Sequence, residues 1–426
     1  MNILPQTNES FDAILLNCKT YSKEFLKQRL EIYDLDIFSS IDKNRFKVIR
    51  IDERTILTSC GIITFKRRYY LDLETNKYVY LLDNQLGIPK NVRLSNELLL
   101  KILDLASIMT YAEVGKHLSD EFELSKFSIW KAIQNTVIEL YDERVIDRKN
   151  WKVHVQIDEK FINMNPKKKR NEKCISKNKK RYYTLTIFAG TETYGNKGKR
   201  RLLNKTLLSS ASLKHLIEKL NYILQSKYRV DIDEEIFVSG DFAKYIQTFP
   251  EKIFCNAVYV PDKYHAFKAI HDALPDLHVD SYSLNDLDFQ NYLIKQTINL
   301  KDDNMTKVRY ALYKNSKIFA PYLDPEYLGC SQEGQNSHVY APRFGKYANR
   351  FNPETVEKLS LVREACATGS KIIVTNSKRI TEKRLDLTIY PEIKITLDEP
   401  LKYVLDTRGM KNETRKLFDA IKYGGL

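Results

Sequence analysis

Three apolar strand-like segments, a helix and two further strands follow one another between residues 153 and 260, and this order constrains the fold more than any other feature of the chain. Val153, Val155 and Ile157 alternate with polar neighbours and lead into Asp158, the period of a half-buried strand. Arg181–Ala189 and Arg201–Ser209 read as two more strands, rich in β-branched and aromatic residues. Ser212–Tyr228 then places Leu213, Leu216, Ile217, Leu220, Ile223 and Leu224 at helical spacing. Glu235–Ser239 is a short strand ending at Gly240-Asp241, and Lys252–Val260 is another, stopped by Pro261.

That order is the beginning of an α/β, ribonuclease H-like mixed sheet. In such a sheet the ends of the first strand and of the strand after the helix lie side by side, and Asp158 and Asp241 occupy those two positions. A third carboxylate must arrive from a later helix. The candidate is Glu333, in the run Gly329-Cys330-Ser331-Gln332-Glu333-Gly334-Gln335-Asn336-Ser337-His338, which is followed by Arg343. This run has almost no apolar side chain, which suits a polar site better than a packed core. Residues 266–328 are mostly helical in pattern and form an insertion before it.

Three converging carboxylates suit phosphodiester chemistry. A phosphodiester resists attack because its oxygens are negative, and two divalent ions overcome this by activating the nucleophile and stabilising the leaving oxygen. Mg²⁺ prefers oxygen ligands and keeps several waters, so a few carboxylates suffice. Two Mg²⁺ ions are expected, with Mn²⁺ able to substitute. Spacing alone does not select this triple among 55 acidic residues. Asp158 can equally end a strand, beside a competing Glu159, while Asp241 can be a turn residue and Glu333 a helix cap.

The N-terminal part reads differently. Residues 1–46 form a helical segment around Phe11–Tyr33, and residues 47–93 a β-hairpin region broken at Gly61. Arg67 and Arg68, beside Tyr69 and Tyr70, can lie along a phosphate backbone or simply edge an amphipathic ribbon. Residues 94–150 carry three short helices. Leu98, Leu99, Ile102, Leu105, Ala106 and Met109 mark the first. Thr110 and Glu113 make a capping box for a second, roughly Tyr111–Phe122. Ser125 caps a third running through Ile129, Trp130, Ile133 and Val137. A helix-turn-helix DNA-binding region fits this pattern, as does a plain helical bundle. Its last helix would expose Lys126, Ser128, Lys131, Gln134 and Asn135, types that reach phosphates and base edges. The catalytic domain then spans 151–345, and 346–426 is a basic C-terminal region.

A formal charge of +14 favours a polyanionic partner. The basic loop at 163–181, with Lys167, Lys168, Lys169 and Arg170, can track a DNA backbone or remain a solvated charge run. Six scattered cysteines form no Cys-x-x-Cys pair, which argues against a zinc ribbon and for reduced thiols in the cytoplasm. The N-terminus lacks a charged leader followed by an apolar stretch, and no run reaches the length of a membrane span. No signal peptide and no membrane partner are therefore expected.

Gln156-Ile-Asp158-Glu, Val238-Ser-Gly-Asp241-Phe-Ala-Lys-Tyr-Ile, Asp262-Lys-Tyr-His265 and Gly329 through Arg343 together resemble the ISLre-type insertion-sequence transposases, long filed as uncharacterised proteins. The resemblance also reaches Leu57–Gly61, Arg67–Tyr70 and Ser125–Trp130, so it covers most of residues 50–345. It implies an acidic-triad enzyme that cuts DNA by hydrolysis and joins the freed 3′-hydroxyl to target DNA. Asp158, Asp241 and Glu333 would be its metal-binding triad. His265 would orient a site group or the DNA strand, or be a plain turn histidine. His338 and Arg343 would contact the scissile phosphate or hold the Glu333 segment in place. Double-stranded DNA, as element ends and target, is the implied partner, bound by a dimer or larger assembly in the bacterial cytoplasm near the nucleoid. A ribonuclease H-like nuclease without strand transfer, or a non-catalytic DNA-binding descendant, are the alternatives.

Overall fold

Alternation along one hairpin organises the first part of the chain. The structure is a computed structural model that describes residues 11–118, 122–141, 144–164, 179–194, 199–345 and 351–376. Helix α1 (Phe11–Ser40) lies on an antiparallel sheet of β1 (Phe46–Thr58), β2 (Gly61–Asp72) and β3 (Lys77–Val79), followed by α2 (Leu81–Gln85). Ile63 and Phe65 of β2 face inward with Ile56, Ile37 and Leu82, while Ile62, Thr64 and Lys66 face out.

The same period carries Arg67 inward, which corrects its expected place on a DNA-facing edge. Arg67 is buried, ion-paired to Asp83, and its guanidinium lies 3.5 Å from the Tyr80 ring centroid. Arg68 is also engaged. Asp34 of α1 accepts from its backbone N–H at 3.0 Å and pairs with its guanidinium. Both arginines hold the helix–sheet module together, because each meets a buried carboxylate before it meets solvent.

Helices α3 (Asn96–Ala106), α4 (Tyr111–His117) and α5 (Lys126–Gln134) start where their caps stand. Ser95 accepts from Leu98 N–H, Thr110 and Glu113 form the reciprocal capping box, and Ser125 accepts from Ser128 N–H. Gly115 allows α4 to approach the loop before α5, since a Cβ there would stand 2.7 Å from the Leu124 carbonyl oxygen. The third helix ends sooner than its apolar spacing predicts. Val137 belongs to β4 (Thr136–Tyr141), which pairs antiparallel with β12 (Lys371–Asn376). Helix α13 (Pro353–Thr368), capped by Asn352, packs beside it. Leu98, Ile102, Val114, Ile129 and Ile133 share one apolar core with Ile162, Met164, Tyr182, Val356 and Leu359.

The central sheet has five strands in the order β11-β10-β5-β6-β9. These are β5 (Val153–Asn163), β6 (Lys179–Ala189), β9 (Thr206–Ser210), β10 (Glu235–Gly240) and β11 (Asn256–Pro261). β5, β6 and β9 pair antiparallel, whereas β10 runs parallel to both β5 and β11. The third expected strand, Arg201–Ser209, is split between β8 (Lys199–Leu202), which forms a small hairpin with β7 (Thr191–Tyr194), and β9. Helix α6 (Leu213–Ser226) buries Leu216, Leu220 and Leu224 against Val153, Val155 and Ile157. A short α7 (Lys244–Gln247) follows β10. The insertion supplies α8 (Lys263–Ala273), α9 (Leu287–Thr297) and α10 (Asp303–Lys314). Leu293, Met305 and Val308 pack there with Ile270, Phe237 and Val260 at the β10–β11 edge. No helix among the described residues is long and apolar enough to cross a membrane.

Candidate active site

Strand β5 has two faces with different duties. Val153, Val155 and Ile157 are fully buried in the core under α6, so His154, Gln156, Asp158 and Lys160 share the opposite face. The segment from Glu326 to Asn336 is stitched along this second face. The Glu326 carbonyl accepts from His154 Nε2 at 3.1 Å. Gln156 donates from Nε2 to the Gly329 carbonyl at 2.9 Å, and its Oε1 accepts from Ser331 N–H at 3.1 Å and Ser331 Oγ at 3.2 Å. Asn336 Nδ2 donates to Asp158 Oδ2 at 2.6 Å. The polar run thus does enter the interior, with Gln332, Asn336 and Arg343 all buried. Hydrogen bonds to strand side chains and to backbone take the place of apolar contact there.

Parallel register brings the two aspartates together. Phe237, Val238 and Ser239 pair with His154, Val155 and Gln156, so Asp241 follows the register toward Asp158 on a neighbouring strand, about 4.8 Å away in the hydrogen-bonding direction. Gly240 permits this approach, because a Cβ would stand 2.6 Å from the Ile157 carbonyl oxygen. Beyond Asp158, β5 continues only with β6 while β10 ends, which opens a cleft at the strand end. Asp241 Oδ1 accepts from Ala243 N–H at 2.9 Å, and its carbonyl accepts from the Tyr259 hydroxyl at 2.8 Å.

Burial pushes the Asp158 carboxyl up to about 6, and the charge of Asp241 adds to the rise; the Glu159 amide, Asn336 and His265 oppose it. His265, at the start of α8, is raised by its bond to Asp262, partly offset by burial, with Asp241 and Glu333 adding to the rise. The charges of Asp241 and His265 thus reach Asp158, and those of Asp241 and Glu333 reach His265. Glu333 stands exposed in the first turn of α11 (Gln332–Gln335). Among the described residues, no three His, Cys, Asp or Glu side chains are grouped closely enough to hold a metal ion. The two aspartates are adjacent and the oxygen donors suit a hard cation, but Glu333 does not complete a shell with them.

Several expected site residues lie elsewhere. Arg343 is 2 % exposed, donates from Nε to the Ala106 carbonyl at 2.7 Å and rests over the Phe351 ring at 4.8 Å. It anchors the segment after Glu333 to α3 and does not face the cleft, because α12 (Ala341–Phe344) turns it into the helical core. His338 is exposed, and its carbonyl accepts from Arg363. Gln134 is drawn to Thr355 and Asn352 at the start of α13, which takes its amide away from a base edge. Lys126, Ser128 and Lys131 are exposed on α5. Lys167, Lys168, Lys169 and Arg170 lie outside the described residues.

Four residues of the site are not among those expected from sequence. Gln156 and Lys160 flank Asp158 at strand spacing, a signal available in the sequence. Asn336 follows Glu333 by three residues, one helical step. Thr184, fully buried and opposite Asp158 on β6, carries no sequence signal.

A mixed sheet with two neighbouring aspartates at a strand-end cleft, and a polar helical segment stitched over them, defines a mixed α/β protein with an acidic cluster. The chain belongs to the uncharacterised protein family UPF0236, whose model matches residues 7–277. The match takes in Asp158, Asp241 and His265 and stops before Glu333. One UPF0236 protein of Caldanaerobacter subterraneus subsp. tengcongensis is 24% identical over 382 residues, covering 83% of this chain and 79% of the relative. A second from the same organism is 22% identical over 382 residues, covering 83% and 80%. Among solved structures, the chain is similar to the Drosophila P element transposase strand transfer complex, at 10% identity and TM-score 0.26, covering 67% of this chain and 83% of that one. It is also similar to the Mos1 strand transfer complex, at 11% identity and TM-score 0.15, covering 57% and 84%.

Proposed function

We propose that this protein is the DNA transposase of an insertion sequence, which hydrolyses phosphodiester bonds at the element ends and transfers the freed strands to target DNA. The observation that carries this reading is the pair of Asp158, midway along β5, and Asp241, just past the end of the neighbouring parallel strand β10. The sheet order, three antiparallel strands followed by two parallel ones, fits a ribonuclease H-like fold. In such a sheet the crevice beyond the strand ends is the natural ligand site.

Asp158 and Asp241 would hold Mg²⁺, and Glu333, which does not complete a shell with them in this arrangement, would join the triad only by a movement of its side chain or of α11. Two such ions, or Mn²⁺ in their place, supply activation of the attacking oxygen and charge neutralisation at the leaving oxygen. The chain's own residues do the rest. Gln156 and Asn336 fix the helix that bears Glu333 against the strand that bears Asp158. Lys160, on the Asp158 face of β5, and His265 at the cleft offer positive charge to a phosphate. The +14 net charge supports a double-stranded DNA partner, with α3–α5 as a helix-turn-helix unit. Two ends must be handled together, so a dimer or larger assembly on DNA, in the cytoplasm at the nucleoid, belongs to this reading.

The test is incubation of the full chain with labelled DNA carrying its element ends and Mg²⁺. Rejoined products support transposition. Nicks without joining favour a nuclease, and shifted but uncut DNA favours a binding protein. Asp158→Asn, Asp241→Asn and Glu333→Gln should each abolish cleavage and leave DNA binding in place. Cleavage at normal rate by any one of them removes that residue from the triad.

A further inference from the structure

We propose that Asn336 is a positioning residue for Asp158, and that the Thr184 hydroxyl braces the other end of its amide. The inference rests on the transposase reading and gives Asn336, there a tie between helix and strand, a part in metal affinity.

Asn336 is 8% exposed and stands where the helix after Glu333 widens into a π-turn (Asn336–Tyr340), a local expansion often found at functional sites. Its side chain reaches back to the sheet with both ends used. Nδ2 donates to Asp158 Oδ2 at 2.6 Å, and Oδ1 accepts from the Thr184 hydroxyl at 2.8 Å. The direction of the amide follows from its neighbours. The Thr184 hydroxyl accepts from Gln332 Nε2 at 3.1 Å and has two acceptors in reach, Asn336 Oδ1 at 2.8 Å and, farther off, the Asp158 carbonyl at 3.3 Å. A reversed amide would set a carbonyl against the Asp158 carboxylate with no proton between them.

The other oxygen, Asp158 Oδ1, accepts from the Glu159 N–H at 2.7 Å. The carboxylate is thereby held in one rotamer by two donors, one from its own strand and one from the helix bearing Glu333. Helix and strand cannot separate without freeing Asp158, so Asn336 couples the two acids in place. Partners that orient a ligand in this way typically govern metal affinity about 10- to 100-fold.

The experiment is calorimetric titration of Mn²⁺ into the full chain without DNA. Asn336→Leu keeps the shape of the side chain and removes both polar atoms, and Asn336→Ala removes the bulk as well. Each should weaken Mn²⁺ binding by about 10- to 100-fold. Thr184→Val should weaken it in the same direction, and Thr184→Ser, which keeps the hydroxyl, should restore it. Gln290→Ala serves as the destabilising control. It removes two buried hydrogen bonds inside the insertion, to Leu284 and Ser316, and should lower the melting temperature without moving Mn²⁺ affinity. Wild-type affinity in Asn336→Leu, with binding lost in Asp158→Asn, would overturn the positioning role and leave the metal reading standing. Mn²⁺ binding that is absent from the wild type, or indifferent to Asp158→Asn, would overturn the metal reading and this inference with it. Where Asn336→Leu does not fold, the Thr184→Val and Thr184→Ser pair decides.

Discussion

Arg363 takes over carbonyls of the helix that Pro342 interrupts. Pro342 has no N–H to offer the His338 carbonyl four residues before it, and its ring crowds that oxygen. The helix answers with the π-turn over Asn336–Tyr340. Arg363 of α13 then donates from Nη2 to the His338 carbonyl at 2.9 Å and from Nε to the Val339 carbonyl at 2.8 Å. The widened turn that aims Asn336 at the sheet therefore leans on a guanidinium from another helix. Arg363→Ala should cost about 1.5–3 kcal/mol, the range for hydrogen bonds to a charged group. Arg363→Lys should recover only part, because a point donor lacks the planar fork. Urea midpoints at unchanged slope measure both; no shift for Arg363→Ala would refute the support role.

Asp83 is the shared counter-ion of two buried arginines. It accepts from Arg54 Nη1 at 2.6 Å and pairs with Arg67, while Arg54 Nη2 reaches the carbonyls of Pro89 and Val92, each at 2.9 Å. Burial, with Arg54 nearby, lowers the Arg67 guanidinium to about 10. Asp83→Asn leaves two buried cations uncompensated and should cost about 3–5 kcal/mol. Arg67→Gln should lower stability too, yet leave the salt dependence of DNA binding unchanged, since its charge faces Asp83. A shallower salt slope in Arg67→Gln would return it to the DNA interface.

What is legible in the sequence is local. Thr110 and Glu113 form their capping box within one turn, and Val153, Val155 and Ile157 alternate within one strand, so neighbours along the chain decide both. The pairing of Gln156 with Gly329 and Ser331, or of Asp158 with Asn336, depends on residues far apart in sequence. No local pattern encodes it. Val137 departs from expectation for the same reason: its apolar side chain continues the helical spacing of α5, but β12 offers it a strand partner from the far end of the described chain. Arg67 is different. The period of β2 already places it on the inner face with Ile63 and Phe65, while its charge argues for solvent. Period wins because Asp83 supplies a buried counter-ion on that face.

On α5 the exposed charges and the engaged amide make separable predictions. Lys126 and Lys131 are exposed, whereas Gln134 bonds to Thr355. If α5 lies on DNA, Lys126→Ala or Lys131→Ala should reduce the slope of log affinity against log salt by roughly 0.9 for each phosphate left without its lysine. Gln134→Ala should change stability and not sequence preference. Fluorescence anisotropy with a labelled duplex over a salt series reads all three. Unchanged slopes for both lysines would take α5 off the duplex.

Glu364 gives the fold a pH dependence of its own. It is 2% exposed between α13 and β9, accepts from the Tyr340 hydroxyl at 3.0 Å and is bonded to Ser209. Burial pushes its carboxyl up to about 8, opposed by those two hydroxyls and by the charge of Lys219. In the unfolded chain the group titrates near 4.5. Between those values the folded protein holds a proton that the unfolded chain has released. Stability from this group is therefore fully present below the unfolded value and falls as pH rises toward the folded one, by up to about 1.4 kcal/mol per pH unit. Glu364→Gln is neutral at every pH and keeps an acceptor for the hydroxyls. Its unfolding free energy should match the wild type at the acid end of the window and exceed it increasingly toward the alkaline end. Urea unfolding across the window measures the difference, and parallel curves for the two proteins would mean that Glu364 is not buried as the neutral acid.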